Sequence, residues 1–146
     1  MSGRQPKCFG DGKAVFIERN VWDPSVPEDV KKRLQGSGKG IIQGPSNRVA
    51  VQPIPPDAKH PAAGQWGLVA AANLFPGEHV IDYVGRVSTM DAAEPDSEYV
   101  AELCPGIVID AAREGGQARF INDFHGTGKM PNVRFERRVE ASGEHR

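Results

Sequence analysis

The 146-residue sequence is long enough for one domain with its own core, and 38% of its residues are hydrophobic. Its 18 Lys and Arg residues nearly balance its 19 Asp and Glu residues, and a net charge of -1 argues against a nucleic-acid binder that relies on a general positive field. The longest apolar run, Leu68 to Ala72, is far shorter than the roughly 20 residues that cross a bilayer, and the first residues carry no signal-peptide core. We therefore expect a soluble, unexported protein that binds neither membranes nor nucleic acid directly.

The first predicted elements are a strand and a short helix. The apolar stretch from Ala14 to Ile17 predicts the strand. Ser25 is the predicted N-cap of the helix, with Pro27 in its first turn, and the helix is predicted to end near Gln35. The glycine-rich run from Gly36 to Gly40 lacks the residue spacing of a phosphate-binding loop, and we interpret it as a flexible turn.

The middle of the chain favours short strands joined by turns, as 17 glycines and 12 prolines in one chain indicate. Alternating side chains predict a strand from Arg48 to Gln52, followed by a surface loop from Asp57 to Gly64. A buried strand is predicted from Trp66 to Ala70, and a Pro-Gly turn from Phe75 to Glu78. Residues His79 to Val87 are rich in β-branched and aromatic side chains and predict a further strand.

The remaining predicted elements are also short. Ser88 to Ser97 has no periodicity and is interpreted as a loop. Two strands, Glu98 to Leu103 and Gly106 to Asp110, flank a Cys-Pro-Gly sequence typical of a tight hairpin turn. A helical turn interrupted by two glycines is predicted within Ala112 to Ile121, and a last strand from Asn132 to Glu136.

Side chains that could support chemistry are few. The four histidines have no ligand spacing, and Cys8 and Cys104 are too far apart in sequence to form a zinc motif, so no metal site is predicted. Asp82 and Asp110 could act as acid and base, but single carboxylates near strand ends more often have a structural role. The stretch from Ala118 to Phe124, followed by a glycine-rich loop, suggests a rigid segment that directs polar groups at a partner or ligand.

Five motifs between residues 64 and 136 resemble, in order and spacing, those of the SET domain, the fold of most protein-lysine methyltransferases. The resemblance implies a β fold of several small sheets with few helices. It also implies an N-terminal extension with one short helix over residues 1–60 and a partial SET domain over residues 61–146. The motifs are Gln65 to Ala71, Pro76 to Glu78 with Asp82 to Gly85, Tyr99, Ile109 to Ala111, and Arg119 to His125 with Pro131 and Asn132.

The same resemblance implies transfer of a methyl group from S-adenosylmethionine to a lysine of a protein substrate, most often a histone tail, in the nucleus. The resemblance leaves the catalytic residue of this chain unassigned, with Tyr99 as a candidate. Structural roles remain the alternative: core aromatics at Trp66 and Tyr99, a packing glycine at Gly67 and a turn cap at Asn122. The cofactor-binding residues implied by position are Trp66, Gly67, Tyr99, Arg119, Asn122 and Asp123.

Departures from the family pattern lead to two hypotheses. Gln65 stands where the family usually has glycine, Asp123 to His125 replaces His-Ser-Cys, and Gly126 to Lys129 is an insertion. The family's closing Gly-Glu-Glu-Leu and Tyr-Gly sequences are absent, so we expect an incomplete fold with exposed apolar surface and low stability. The chain is then either a truncated methyltransferase with weak or no turnover, or an inactive SET-like module that binds a protein or a histone tail.

Overall fold

The computed structural model describes residues 7–10, 12–37 and 46–146, in which short strands predominate. The predicted turn at Gly36 to Gly40 lies partly outside these residues. None of the helices in the described ranges is long and apolar enough to cross a membrane. In chain order the elements are β1 (Val15–Phe16), β2 (Val21–Trp22), α1 (Glu28–Gln35), β3 (Val49–Pro53), β4 (Trp66–Ala70), β5 (Arg86–Thr89), β6 (Val100–Cys104), β7 (Ile107–Asp110) and β8 (Glu114–Gly115), with 3-10 helices at Lys7–Phe9, Met90–Ala92 and Gln117–Phe120.

The strands form three small sheets, which confirms the predicted fold class of several small sheets with few helices. The largest has the order β2-β5-β7-β6, and β6 and β7 form the predicted hairpin, whose turn contains Gly106 at a φ of 81°. Strands β3 and β4 pair antiparallel, whereas β1 pairs parallel to β8. These pairs join strands on both sides of residue 60, and the division into an extension and a SET domain stays a prediction.

Helix α1 ends at Gln35 as predicted but begins later than its predicted cap. Pro27 occupies the N-cap position without a side-chain hydrogen bond, so the assignment of Ser25 as N-cap is wrong. The backbone N–H of Ser25 donates to Asp23 Oδ1 (2.8 Å), and its hydroxyl accepts from the backbone N–H of Thr89 (3.2 Å). Ser25 therefore ties the chain before the helix to β5 instead of capping the helix.

Two clusters of buried apolar side chains hold the elements together. The first joins α1, through Leu34, to the four-stranded sheet and consists of Val26, Leu34, Val87, Leu103, Ile107 and Ile109. The second lies where the N-terminal 3-10 helix meets β3, β4 and the last 3-10 helix, and consists of Cys8, Phe9, Ala14 and Phe120. In this second cluster the ring of Phe9 packs edge-on against Phe16 and Phe120, at 5.3 Å between ring centroids in each case.

Two predicted strands differ from the structure. The strand predicted from His79 to Val87 is wrong over most of its length, because β5 begins only at Arg86. Just before it, the backbone N–H of Gly85 donates to the side chain of Asn20 (3.1 Å), which is not a ladder bond. The strand predicted from Asn132 to Glu136 is also wrong: these residues are exposed and lie outside any strand. The helical turn predicted within residues 112–121 is confirmed as a 3-10 helix, with β8 placed before it.

Residues 138–146 form a hairpin, which we call the C-terminal hairpin. Arg138 and Arg146 exchange backbone hydrogen bonds of 2.8 and 2.9 Å. The hairpin docks on the end of α1, where the backbone N–H of His145 donates to the carbonyl of Leu34 (2.8 Å) and that of Ser37 donates to the carbonyl of Ser142 (2.9 Å). Since helix ends leave carbonyl groups unsatisfied, the hairpin supplies a partner that the helix needs.

A buried carboxylate fixes the other side of the C-terminal hairpin. The side chain of Asp82 is only 8% exposed, and it accepts from Arg146 (3.2 Å), from Arg138 (3.5 Å) and from His79 Nε2 (2.9 Å). Arg146 is 7% exposed and also pairs with Glu144 (3.1 Å). Such buried charges require partners, so these ion pairs tie the hairpin to the chain near residue 82.

Exposed large apolar side chains are frequent in the C-terminal part of the chain. Five of the ten such side chains in the described residues lie between residues 124 and 139. The expected exposure of apolar surface through an incomplete fold stays a prediction, and so does low stability. The five are Phe124, Met130, Val133, Phe135 and Val139.

Candidate functional site

The start of β4 and the segment after the last 3-10 helix meet at Gly67 and Asn122. The side-chain amide of Asn122 donates to the backbone carbonyl of Trp66 at 3.4 Å. A Cβ atom at Gly67 would lie 3.1 Å from Asn122 Nδ2 and 3.2 Å from Ile54 Cδ1, closer than ordinary contacts. Gly67 is therefore needed for the close approach of Asn122 to the backbone of β4.

Asn122 is positioned by the 3-10 helix Gln117–Phe120, which is anchored on two sides. Phe120 and Ala118 are buried, and Phe120 packs in the second apolar cluster. The side chain of Gln117 accepts from the backbone N–H of Ser46 (2.6 Å) and donates to its carbonyl (3.1 Å). Asn122 follows two residues after the anchored Phe120, so its location relative to β4 is set by core packing.

Tyr99 and Arg119 form a second contact pair. The guanidinium carbon of Arg119 lies 4.1 Å from the centroid of the Tyr99 ring, a cation–π geometry. Arg119 Nε donates to the carbonyl of Ala111 (2.8 Å), which holds the guanidinium in place. Gly115 permits this packing, because a Cβ there would lie 3.3 Å from Arg119 Cδ and 3.0 Å from the Ala111 Cβ.

Tyr83 fixes the backbone of Tyr99 and is a site residue that sequence reasoning did not assign. Its hydroxyl donates to the carbonyl of Tyr99 at 2.7 Å, and the same carbonyl accepts from the N–H of Ala111 at 3.1 Å. Burial, followed by the nearby carboxylate of Asp110, raises the pKa of Tyr83 well above the ordinary value. Tyr83 therefore stays protonated and remains a donor. The available signal was its place in the Asp-Tyr-Val-Gly motif.

Asp123 pairs with the nearby ring of His125. The two carboxylate oxygens lie 2.7 and 2.8 Å from His125 Nδ1, and both side chains are exposed. This hydrogen bond with His125 lowers the pKa of Asp123. The ring of His125 also stacks on Phe124, at 4.2 Å between centroids. His125 thus contacts both residues that precede it.

Asp110 is engaged in structural hydrogen bonds. Its buried carboxylate accepts from the backbone N–H of Glu94 (3.0 Å), the hydroxyl of Ser97 (2.7 Å) and the N–H of Ala112 (3.0 Å). It therefore fastens the loop before β6 to the end of β7. In the ranges 7–10, 12–37 and 46–146 no group of three or more His, Cys, Asp or Glu side chains could hold a metal ion.

The six residues predicted to bind the cofactor fall into two groups and one outlying position. Trp66, Gly67 and Asn122 meet at β4, and Tyr99 meets Arg119 beside β7. The 3-10 helix connects the groups, since it contains Arg119 and directly precedes the segment of Asn122. The carboxylate of Asp123 is engaged by His125. The cofactor roles of all six stay predictions.

Comparison with known proteins identifies relatives among histone-lysine methyltransferases. The H3 lysine-4 specific histone-lysine N-methyltransferases of Emericella nidulans and Saccharomyces cerevisiae are 35% and 34% identical to this chain, over 42% and 53% of its length. The histone-lysine N-methyltransferase ATXR7 of Arabidopsis thaliana is 37% identical over 39% of it. The matches cover only 6%, 8% and 5% of these three proteins. No protein-family model matches the chain.

Proposed function

Because its homologues are histone-lysine N-methyltransferases, as the motif resemblance predicted, we propose that this chain carries a SET-type methyltransferase domain. Its substrate is a lysine of a protein, its methyl donor is S-adenosylmethionine, and its place of action is the nucleus. Since the chain spans less than a tenth of each relative, the first substrate to test is the one in their names, lysine 4 of histone H3.

The observation that carries this proposal is the approach of Asn122 to β4 across Gly67. Strand β4 pairs only with β3 in the described residues, so its other edge offers backbone donors and acceptors. Gly67 is buried and lets Asn122 lie close to the strand, and the Asn122 amide adds a donor and an acceptor there. Such an edge suits the amine and carboxylate of the methionine part of S-adenosylmethionine, which need both kinds of partner.

Chemistry at this site requires positioning more than acid–base groups. S-adenosylmethionine, when bound, supplies an electrophilic methyl group on a positively charged sulfur. Tyr99, held by Arg119 and Tyr83, would provide a rigid aromatic wall beside the reacting atoms. Holding two reactants in a fixed geometry lowers the entropy cost of a displacement, and this is the role we assign to Tyr99.

Cofactor binding is tested with an Asn122→Ala variant. We expect titration calorimetry to detect S-adenosylmethionine binding by the unmodified chain and at least about a tenfold weaker affinity in the variant, since a polar partner is removed. Asn47→Ala, at an exposed position before β3, is the matched control and should bind normally. Equal affinities in all three proteins would refute the role of Asn122.

Methyl transfer is tested with labelled S-adenosylmethionine and an H3 tail peptide. Because weak turnover is expected, the assay uses long incubation, and we expect weak label on the peptide that contains lysine 4 and none on the same peptide with arginine at that position. Label on neither peptide, together with normal cofactor binding, would leave the cofactor site standing but refute the substrate.

A SET-like module without turnover is the second candidate function, and the region around Asp123 favours it. Gln65 stands where the family usually has glycine, and the Asp123 carboxylate is occupied by His125. This candidate predicts that the H3 peptide binds in fluorescence anisotropy while calorimetry detects no S-adenosylmethionine binding. Measured methyl transfer would exclude it.

A further inference from the structure

The backbone of Tyr99 is hydrogen-bonded by a side chain that the proposed function does not yet use. The hydroxyl oxygen of Ser97 accepts from the N–H of Tyr99 at 3.1 Å. Serine hydroxyls bond the N–H group two residues later in local turns of this kind. The carbonyl of Tyr99 accepts from the Tyr83 hydroxyl and from the N–H of Ala111. Both polar groups of the Tyr99 backbone are therefore held.

A buried carboxylate sets the direction of the Ser97 hydroxyl. The residue Asp110 is only 6% exposed, and its Oδ1 accepts from Ser97 Oγ at 2.7 Å. Because this bond uses the hydroxyl proton, the lone pairs of Ser97 Oγ stay available for the N–H of Tyr99. We call the resulting chain of hydrogen bonds, from Asp110 through Ser97 to Tyr99, the Ser97 bridge.

The same carboxylate fixes the turn that presents Ser97. Asp110 Oδ2 accepts from the N–H of Glu94 (3.0 Å), and the N–H of Ser97 donates to the carbonyl of Glu94 (3.2 Å). Within this turn Asp96 has a φ of 58°, a left-handed conformation that costs free energy in a residue other than glycine unless the surroundings maintain it. Asp110 therefore determines where the turn ends and the chain reaches Tyr99.

The contact between Tyr99 and Arg119 depends on two anchors that lie next to each other in the chain. The Arg119 guanidinium carbon lies 4.1 Å from the Tyr99 ring centroid, and Arg119 Nε donates to the carbonyl of Ala111 (2.8 Å). The Ser97 bridge starts at Asp110, which directly precedes Ala111. One point of the chain, at the end of β7, thus places both partners of the cation–π pair.

We propose that Asp110 and Ser97 are positioning residues, which hold the ring of Tyr99 against Arg119 for contact with the methyl donor. The contact with the donor rests on the proposed function, whereas the position of the ring can be measured without it. The alternative is that Asp110 only fastens the loop before β6. In that case loss of the Ser97 hydroxyl would lower stability but leave the ring on Arg119.

The position of the ring is tested by NMR of the full chain. Protons above the face of an aromatic ring resonate upfield, so the side-chain protons of Arg119 report where the Tyr99 ring lies. A Tyr99→Leu variant gives their resonances without the ring. In Ser97→Ala we expect these resonances to move toward the Tyr99→Leu values, because the hydroxyl that holds the Tyr99 N–H is lost. In Ser97→Thr, which keeps a hydroxyl, they should stay in place.

A matched control removes the same kind of bond elsewhere. The hydroxyl of Ser142 accepts from the N–H of Glu144, two residues later, at 3.3 Å. Ser142→Ala should leave the Arg119 resonances unchanged. Asp110→Asn tests the carboxylate itself, since an amide nitrogen would face donors that now bond its oxygens, and it should move the Arg119 resonances as Ser97→Ala does. If circular dichroism shows that Asp110→Asn does not fold, the Ser97 variants decide alone.

The service of the positioned ring to the methyl donor is tested by titration calorimetry with S-adenosylmethionine. We expect Ser97→Ala to bind it about fivefold more weakly than the unmodified chain, because the ring is no longer held in place. Ser97→Thr and Ser142→Ala should bind it with the affinity of the unmodified chain.

The two measurements separate this inference from the proposed function. Arg119 resonances that stay in place in Ser97→Ala, or move equally in Ser97→Thr, would overturn the inference whatever the cofactor does. Moved resonances with unchanged affinity for S-adenosylmethionine would overturn the link between the ring position and the donor. Moved resonances in a chain that binds no S-adenosylmethionine even without substitution would support the positioning of Tyr99 and refute the proposed function instead.

Discussion

Two parts of the molecule are held together by different forces. Every buried hydrophobic side chain in the described residues lies at or before Phe120, and so do all eight strands. From residue 121 onward the contacts are ion pairs, one hairpin, scattered hydrogen bonds and two ring contacts of exposed side chains. Apolar burial is cooperative across a core, whereas individual ion pairs hold only what they touch. We therefore expect the first part to set global stability and the second to respond locally.

The largest expected effect compares the same substitution in the two parts. Phe120→Ala removes a buried ring that packs on Phe9 and should lower the free energy of unfolding by about 3–5 kcal/mol. Phe135→Ala removes a mostly exposed ring and should cost about 1 kcal/mol or less. Urea denaturation measures both. Similar losses of unfolding free energy in the two variants would contradict the distinction between the two parts.

An intermediate effect is expected where the second part is anchored. Asp82→Asn removes the negative charge that pairs with both Arg138 and Arg146, while Arg146 keeps its ion pair with Glu144. We expect the free energy of unfolding to fall by about 1–3 kcal/mol. Hydrogen exchange should accelerate at the amides of Arg138 and Arg146 and stay slow in β7. Asp57→Asn, in an exposed loop, is the control. Equal acceleration in β7 would mean that the hairpin and the core unfold together.

A smaller effect is expected where the two parts touch. Gly67→Ala places a Cβ 3.1 Å from Asn122 Nδ2, so the amide must shift, at a cost of about 1 kcal/mol. NMR should detect the shift at the side-chain amide of Asn122. Gly116→Ala is the matched control, since its nearest new contact is 3.6 Å. An unmoved Asn122 amide in the first variant would contradict the close packing at β4.

The smallest effect concerns an exposed pair in the second part. The hydrogen bond from His125 lowers the pKa of Asp123, so any stabilisation by this pair is present at neutral pH and is lost as pH falls through that lowered pKa. His125→Gln should raise the pKa of Asp123 in a carboxyl NMR titration without a measurable change in stability. The pKa of Glu78, which Arg48 lowers, serves as the control and should not change.

Elements that are determined by residues close together in sequence could be predicted. The β6–β7 hairpin follows from its Pro-Gly turn, and the end of α1 was placed correctly at Gln35. The bounds of β4, Trp66 to Ala70, were also correct, although Val69 and Ala70 are exposed. Each of these elements depends on residues within a few positions of one another.

Elements that depend on partners distant in sequence could not be predicted from the sequence. The alternation from Asn132 to Glu136 is adequate for a strand, but no strand in the described residues pairs with it. Ser25 has the chemistry of an N-cap, yet the amide of Thr89 uses its hydroxyl. At the site, the order of the motifs indicated that Gly67 and Asn122 act together, but only folding explains why a side chain at position 67 would collide with Asn122.

The docking of the C-terminal hairpin on α1 has a consequence for folding kinetics. The amide of His145 donates to the carbonyl of Leu34, and β1 pairs with β8, so residues that are far apart in sequence are neighbours. Such contacts close very long loops, and proteins rich in them fold slowly. The carbonyl of Leu34 at the end of helix α1 can gain its partner only after residue 145 has left the ribosome, so the end of α1 should become protected later than the β6–β7 hairpin during synthesis.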